Sequence, residues 1–415
     1  MKRLKILISA YACEPQRGSE PGVGWNWVYH ISRFHDVWAI TRAENRHTIE
    51  ASLRTQPLPN VHWIYANFPL LSSIFKRGGR GERFYYLLWQ VIVYFKAKRL
   101  NQRIAFDVIH HVTLVNYWLP SFMAFLPVPF VWGPVGGGDT TPALFFALFS
   151  LRDRLFEYFR RAACKVAEIS CIVRKVAASA SAALATTPET ACRLTKLGAM
   201  NVHLISQVAL PESEIKWLAG LPRYQGNPFR ILSLGNLLHW KGFDLAIKAF
   251  RDFLDGFPES EYWLIGEGPA KSHLTSLAEG LGIADKVKFW GFLPRREAWE
   301  QFAKCNLLIH PSLHDSGGWV CAEAMAGGLP VICLDLAGPA LQVNEETGFK
   351  IKAENPDQVI RDISDALCTL AGDRALADAM GKEARRKVSI DASWKIKAER
   401  ILKIYDSAIQ EECIP

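Results

Sequence analysis

Short apolar segments, each followed by a loop and then by a stretch long enough for a helix, recur along this 415-residue chain. The segments lack the strict polar–apolar alternation of a half-exposed strand, so we expect buried parallel strands covered by helices on both faces. In the first half they are KILISA (5–10), HDVWAIT (35–41), VHWIYA (61–66), DVIHHV (107–112) and PFVWGP (129–134).

The same pattern restarts near Phe229, after a stretch at 207–227 that is rich in proline and glycine. Two such sets predict an α/β fold with two facing Rossmann-like βαβ domains and a cleft between them. We expect an N-terminal domain over 1–210, a C-terminal domain over 228–390, and a last helix within 391–415 that returns to the N-terminal domain. The second-half segments are FRILSLG (229–235), EYWLIGEGP (261–269), VKFWGFLP (287–294), NLLIHPS (306–312) and LPVICLD (329–335).

The composition is that of a globular protein, with 49% hydrophobic and 22% charged residues. A net charge of +8 favours anionic partners such as nucleotides, nucleic acid or an acidic membrane surface. The nine cysteines form no CxxC pair and no zinc spacing, so we expect reduced, mostly buried thiols. The basic N-terminus could be a signal peptide, but its short apolar run leads straight into a strand, which favours a cytoplasmic protein.

Lys241 lies in LGNLLHWKG (234–242), between a predicted strand and a helix that starts near Phe243. The unpaired amides of a helix start and a lysine charge together suit an anion. The Walker pattern GxxxxGK[ST] is missing, and the alternative is a turn with a solvated lysine.

Two acidic residues stand eight apart in PSLHDSGGWVCAEAMAGGLPVI (311–332): Asp315 opens a glycine-rich turn and Glu323 lies about one turn into the next helix. Amides at 318–320 could hold a second anionic group, Glu323 could accept a ribose diol, and Asp315 would face what lies beyond the phosphates. The alternative is a helix-capping aspartate with a dipole-stabilised glutamate. Apolar neighbours of Glu323 argue against it, because a buried carboxylate needs a partner.

These segments, with IGEGP (265–269) and EAMAGGLPVI (323–332), resemble the C-terminal half of the retaining GT4 glycosyltransferases, which are nucleotide-sugar enzymes of the GT-B fold. The resemblance covers Phe229 to about Lys387 and is weak in the N-terminal half.

The resemblance implies that Lys241 binds the donor diphosphate, Glu323 the ribose, and Asp315 the donor sugar. Asn236 stands where the family usually has arginine, and Asp315 where it usually has glutamate, so donor choice could differ. Further implied donor contacts are Gly235, Ser316, Gly317, Gly318, Trp319 and Val320, with Gly291, Phe292 and Leu293 lining the base.

In the N-terminal half, Gly22 and Gly24 of CEPQRGSEPGVGW (13–25) would let backbone amides approach a phosphate or the transferred sugar. The alternative is a plain turn. The loop WGPVGGGD (132–139) is interpreted as a cleft wall or a structural turn. His111, at the end of a strand, would meet the sugar or acceptor, and its alternative is a packed core histidine.

Basic and aromatic residues are interleaved over 72–103 and 143–175. They predict peripheral docking on an anionic membrane, on the inner face, which suits a glycan or lipid-linked acceptor. Two ordinary helices with basic solvated faces are the alternative. Nucleic acid is not expected, because no recognised binding motif accompanies the charge.

The sequence therefore predicts a retaining glycosyltransferase that moves a sugar from a nucleotide sugar to a hydroxyl, in cell-surface or exopolysaccharide synthesis. No metal or other cofactor is expected, because neither an Asp-x-Asp loop nor a histidine cluster occurs. A nucleotide-sugar epimerase of the same fold and an inactive scaffold of a glycan-assembly complex are the competing hypotheses.

Overall fold

The structure, a computed structural model, describes residues 3–67 and 82–412, and the chain divides into two compact units. Unit 1 comprises the chain up to Gly138, then Ala162–Gln207, and the chain from Trp394 onward. Unit 2 comprises Asp139–Arg161 and Val208–Ser393. Lys76, Arg77 and Arg80 of the predicted basic surface lie outside the described residues.

Within the described residues, unit 1 contains seven strands and unit 2 contains six. They are β1 (Lys5–Ser9), β2 (Asp36–Arg42), β3 (Val61–Ala66), β4 (Val108–His111), β5 (Phe130–Val135), β6 (Ala182–Ala185), β7 (Val202–Leu204), β8 (Arg230–Leu234), β9 (Glu261–Ile265), β10 (Val287–Gly291), β11 (Leu307–His310), β12 (Val331–Leu334) and β13 (Gly348–Ile351). The α-helices in chain order are α1 (Ser19–Ile31), α2 (Arg46–Thr55), α3 (Glu82–Ile104), α4 (Leu151–Ile169), α5 (Cys171–Ala178), α6 (Pro188–Lys196), α7 (Glu212–Ala219), α8 (Phe243–Phe253), α9 (Lys271–Gly280), α10 (Arg295–Glu300), α11 (Trp319–Ala326), α12 (Ala337–Gln342), α13 (Pro356–Gly372), α14 (Arg374–Asp391) and α15 (Trp394–Glu412).

Both sheets are doubly wound and parallel, which confirms the predicted α/β class. The first has the order β3-β2-β1-β4-β5-β6-β7 and the second β10-β9-β8-β11-β12-β13. Every strand neighbour pairs in parallel, as the Ile231↔Tyr262 register of β8 and β9 illustrates. In each sheet the order reverses beside the first strand, and such a switch point is where open α/β sheets bind ligands.

The second sheet is buried on both faces. In β9, Tyr262 and Leu264 pack in one core with α8, whereas Trp263 and Ile265 pack in the other core with α11. Because both faces are covered, consecutive strand residues are apolar and no alternation is visible in the sequence. The strands β6, β7 and β13 were not predicted, since each is only three or four residues long and AALA (182–185) has no β-branched residue.

Segment 139–161 lies in unit 2, a placement for which the sequence offered no signal. Phe145 and Phe149 belong to the same core as Phe243 of α8. The last helix, α15, lies in unit 1, where the Tyr405 hydroxyl and His110 Nδ1 are 2.7 Å apart in a hydrogen bond. In the described ranges, no helix combines the length and the apolar character that crossing a membrane requires.

Candidate functional site

Two loops meet at the switch point of the second sheet, one after β8 and one after β11. The Leu313 amide donates to the Trp240 carbonyl at 2.8 Å and joins them. Gly242 has φ +67°, and a Cβ there would lie 2.1 Å from the Pro311 carbonyl oxygen, so only glycine fits this close approach. The predicted helix start follows at Phe243, directly after Lys241 and Gly242.

Lys241 and Asp315 form an ion pair across these loops. The Lys241 Nζ lies 2.5 Å from Asp315 Oδ2, and His310 Nε2 lies 3.2 Å from the same oxygen. Burial by itself would raise the pKa of Asp315, but the Lys241 ammonium and the His310 hydrogen bond hold it well below its usual range. Asp315 is therefore an ionised carboxylate, and a diphosphate that binds Lys241 has to share or replace this pair.

The other oxygen of Asp315 organises the turn before α11. Asp315 Oδ1 accepts the amides of Gly317 at 3.1 Å and Gly318 at 2.9 Å. The Gln342 side chain donates to the Gly317 carbonyl at 2.5 Å, and the Ser316 hydroxyl donates to the Asp139 carboxylate. The predicted cradle of amides is thus occupied in part by the protein's own carboxylate, while Trp319 and Val320 begin α11 as expected.

Glu323 has a protein partner that the sequence analysis missed. Glu323 is 6% exposed, and Arg295 donates to its carboxylate through Nε at 2.9 Å. Arg295 also makes two bonds to Glu214, at 2.8 and 3.1 Å, and lies over the Trp299 ring. Burial raises the pKa of Glu323, and the Arg295 charge opposes that shift.

Neither Asp315 nor Glu323 therefore depends on a ligand for a partner. Each carboxylate already has a basic partner within unit 2, Lys241 for Asp315 and Arg295 for Glu323. Arg295 follows the loop expected to line a base. A basic residue at that position was the one feature of the sequence that could have indicated a partner for Glu323.

The loop that the resemblance predicts to line a base is open to solvent. Gly291 has φ +71°, and the Phe292 side chain is 75% exposed, with Leu293 half-buried behind it. Gly235, at the end of β8, has φ +150° and open space where a Cβ would be. These positions stay predictions as donor contacts.

Gly22 and Gly24 lie inside helix α1, so the expectation of a loop there was wrong. A Cβ on Gly22 would lie 2.0 Å from the Arg17 carbonyl oxygen, and one on Gly24 would lie 2.0 Å from that of Ala12. Close packing of the helix against the preceding loop accounts for both glycines. Whether either approaches a phosphate stays a prediction.

His111 ends β4 and is 1% exposed. Its Nδ1 is 2.5 Å from the Ser121 hydroxyl, and its Nε2 is 3.0 Å from the Tyr86 hydroxyl. Burial lowers the pKa of His111 to about 4, which keeps the ring neutral near pH 7. This geometry favours the packed core histidine over a residue that meets a sugar.

Glu157 of segment 139–161 is a second residue that the sequence analysis missed. It is fully buried, and its Oε1 lies 3.3 Å from His239 Nε2 and 3.4 Å from His314 Nε2. Burial alone would raise the pKa of Glu157, but the two histidines and Arg160 lower it below its usual range. His239, three residues after Asn236, faces this acid and also Asp153, whose Oδ1 lies 3.3 Å from His239 Nδ1.

Among the residues that the structure describes, no group of three or more His, Cys, Asp and Glu side chains is placed to hold a metal ion. Metal independence of any activity stays a prediction.

The family described as "Glycosyl transferases group 1" matches residues 222–387. A D-inositol 3-phosphate glycosyltransferase of Streptomyces avermitilis is 31% identical over 43% of this chain and 40% of that protein. A GDP-mannose-dependent monoacylated alpha-(1-6)-phosphatidylinositol monomannoside mannosyltransferase of Corynebacterium glutamicum is 29% identical over 40% of this chain and 44% of that protein. The chain thus spans less than half the length of these curated relatives.

The whole chain is similar in fold to solved structures. The Anabaena protein Alr3699/HepE in complex with UDP superposes with a TM-score of 0.61, over 97% of this chain and 100% of that chain, at 17% identity. At this identity the likeness shows the two-domain fold alone.

Proposed function

We propose that this chain is a glycosyltransferase, because its residues 222–387 match the family described as "Glycosyl transferases group 1". It moves a sugar from a nucleoside-diphosphate sugar to a hydroxyl group of an acceptor. The observation that carries the proposal is the Lys241–Asp315 pair, set at the switch point of the second sheet and inside the segment that matches the family.

In the proposed reaction, negative charge develops on the departing diphosphate. Lys241 and the amides at the starts of α8 and α11 stabilise that charge, and they are in place before the reaction begins. Asp315, already ionised and held by two backbone amides, faces the donor sugar. Retention of the anomeric configuration and independence from metal ions are parts of the same proposal.

The activities for which relatives are named support the donor and acceptor classes. One relative is named for GDP-mannose and a phosphatidylinositol mannoside, and another for D-inositol 3-phosphate. The solved Anabaena protein holds UDP. We therefore extend the proposal to a glycan or lipid-linked acceptor, in cell-surface or exopolysaccharide synthesis.

Helix α4 supports contact with an anionic membrane as a second part of the proposal. One face of this 19-residue helix is an exposed apolar stripe, with Leu151 77% and Phe159 73% exposed. Exposed Arg152 and Lys165 flank it, and such a combination suits the headgroup layer of anionic lipids. The members of the stripe, at helical spacing, are Leu151, Leu155, Tyr158, Phe159, Ala162, Val166 and Ile169.

A thermal-shift screen with UDP, GDP, ADP and TDP sugars tests the donor assignment. One nucleotide class is expected to raise the melting temperature, since a ligand that binds only the folded state stabilises it by about 2.7 kcal/mol at 100 times its Kd. Glu323→Ala is expected to abolish the shift. The same shift in EDTA would agree with metal independence.

Turnover assays separate the competing hypotheses. An epimerase converts its nucleotide sugar without any acceptor, and an inactive scaffold releases no nucleoside diphosphate even with one. If no nucleotide sugar stabilises the protein, the donor assignment is wrong.

A further inference from the structure

Glu157 lies between the two loops that carry the proposed donor-binding residues. His239 is two residues from Lys241, and His314 is the neighbour of Asp315. Both imidazoles direct Nε2 at the same oxygen of Glu157, at 3.3 and 3.4 Å, and Arg160 Nε pairs with the other oxygen at 3.1 Å. One buried carboxylate thus contacts both loops at once.

Ring contacts reinforce this arrangement. The Trp240 ring of one loop stacks on the His314 ring of the other, with centroids 5.2 Å apart. Phe156 of segment 139–161 also stacks on Trp240, with centroids 6.2 Å apart. Phe149 meets the His239 ring edge-on at 4.8 Å. Phe149 and Phe156, which both precede Glu157 in segment 139–161, therefore also pack on the loop after β8.

We propose that Glu157, with His239 and His314, forms a histidine clamp that positions Lys241 and Asp315 for the donor diphosphate. Glu157 does not contact the donor in this proposal and is a positioning residue. The inference rests on the proposed function for its consequence, weaker donor binding, but the clamp itself is a property of the free protein.

The clamp acts by preorganising the two loops that carry Lys241 and Asp315. Asp315 is part of a sharp turn whose glycines allow wide backbone freedom, and Lys241 is the last residue of a short 3-10 helix at His239–Lys241. Glu157 holds His239, near Lys241, and His314, next to Asp315. This contact restricts both loops in the free protein, so a ligand loses less conformational entropy of the loops when it binds. A carboxylate serves two N–H donors well, because its oxygen accepts from both and the ion strengthens each bond.

Hydrogen exchange of the free protein tests the clamp without any donor. In Glu157→Ala, amides of loops 236–242 and 312–318 are expected to exchange faster, on the order of tenfold. Glu157→Gln keeps an acceptor oxygen at the same place, so an intermediate effect is expected. The matched control is Glu261→Gln, which removes a different carboxylate of unit 2, part-buried, paired with Arg230 at 3.2 Å and situated at the start of β9.

The control variant is expected to leave exchange in both loops at the wild-type rate, even if it lowers the melting temperature. If Glu157→Ala also leaves both loops unchanged, or if exchange rises equally across unit 2, the clamp proposal is wrong.

Calorimetric titration with UDP, GDP, ADP and TDP tests the consequence, and the nucleotide that binds the wild type is then used with each variant. Affinity is expected to fall about tenfold in Glu157→Ala, less in Glu157→Gln, and not at all in Glu261→Gln. A wild-type protein that binds none of the four nucleotides contradicts the proposed function, while the exchange experiment still decides the clamp.

Discussion

At the scale of single residues, the Lys241–Asp315 pair determines what the site can do before a ligand arrives. Asp315→Asn keeps an oxygen for the amides of Gly317 and Gly318 but removes the negative charge beside Lys241. Since hydrogen bonds to charged groups contribute about 1.5–3 kcal/mol, we expect a loss of that order in the free energy of unfolding at pH 7. Urea denaturation measures it, and Asp315→Ala should cost more because it also removes the two amide contacts.

The difference in the free energy of unfolding between wild type and Asp315→Asn depends on pH, and the pKa of Asp315 determines the direction. The pKa of Asp315 is lower in the folded state than the value of about 3.9 in an unfolded chain. Its stabilisation is therefore complete above about pH 4 and is lost as pH falls through the folded-state pKa. The gap between wild type and Asp315→Asn should narrow as pH drops below about 4. A gap that widens there would contradict the ion-pair account.

At the scale of elements, α1 shows packing overriding helix propensity. Alanine favours a helix interior over glycine by about 1 kcal/mol, but a Cβ on Gly24 would lie 2.0 Å from the Ala12 carbonyl oxygen. Gly24→Ala is therefore expected to destabilise the protein by about 1–3 kcal/mol, seen as a lower melting temperature. Gly280→Ala, at the end of α9 with no atom within 4 Å of its Cβ, is the control and should be neutral or stabilising. A stabilising Gly24→Ala would show that the helix does not approach the loop this closely.

At the scale of the whole molecule, the apolar stripe on α4 and the net charge of +8 both favour binding to the proposed anionic membrane. The protein is expected to float with vesicles of phosphatidylcholine and phosphatidylglycerol, and several-fold less with phosphatidylcholine alone or in high salt. The double variant Leu155→Ser/Phe159→Ser should reduce flotation. The control Met200→Ser changes an apolar residue that is 91% exposed but lies outside the stripe, and it should not reduce flotation. If the wild type stays at the bottom of the gradient with anionic vesicles, membrane docking is contradicted. If sedimentation shows that the wild type is a dimer and that the double variant is a monomer, the stripe binds a second copy of the chain instead.

Much of this protein could be predicted from its sequence, because the decisive signals are local. Apolar runs followed by loops predicted ten of the strands, and the residues after them, Lys241, Asp315 and Glu323, were identified from their own neighbours in the chain. Each of these features depends on backbone geometry within about ten residues, which sequence order records directly.

Only the tertiary structure decided which groups satisfy those charges. Arg295 reaches Glu323 across 28 positions, and Glu157 reaches His239 and His314 across 82 and 157 positions. No periodicity or spacing links such residues, since their distance depends on how parallel strands are ordered in the sheet and on where segment 139–161 packs. The sequence determined which residues carry charge at the strand ends, and the fold determined their partners, because a buried charge is paired by whatever the packing brings within about 3 Å.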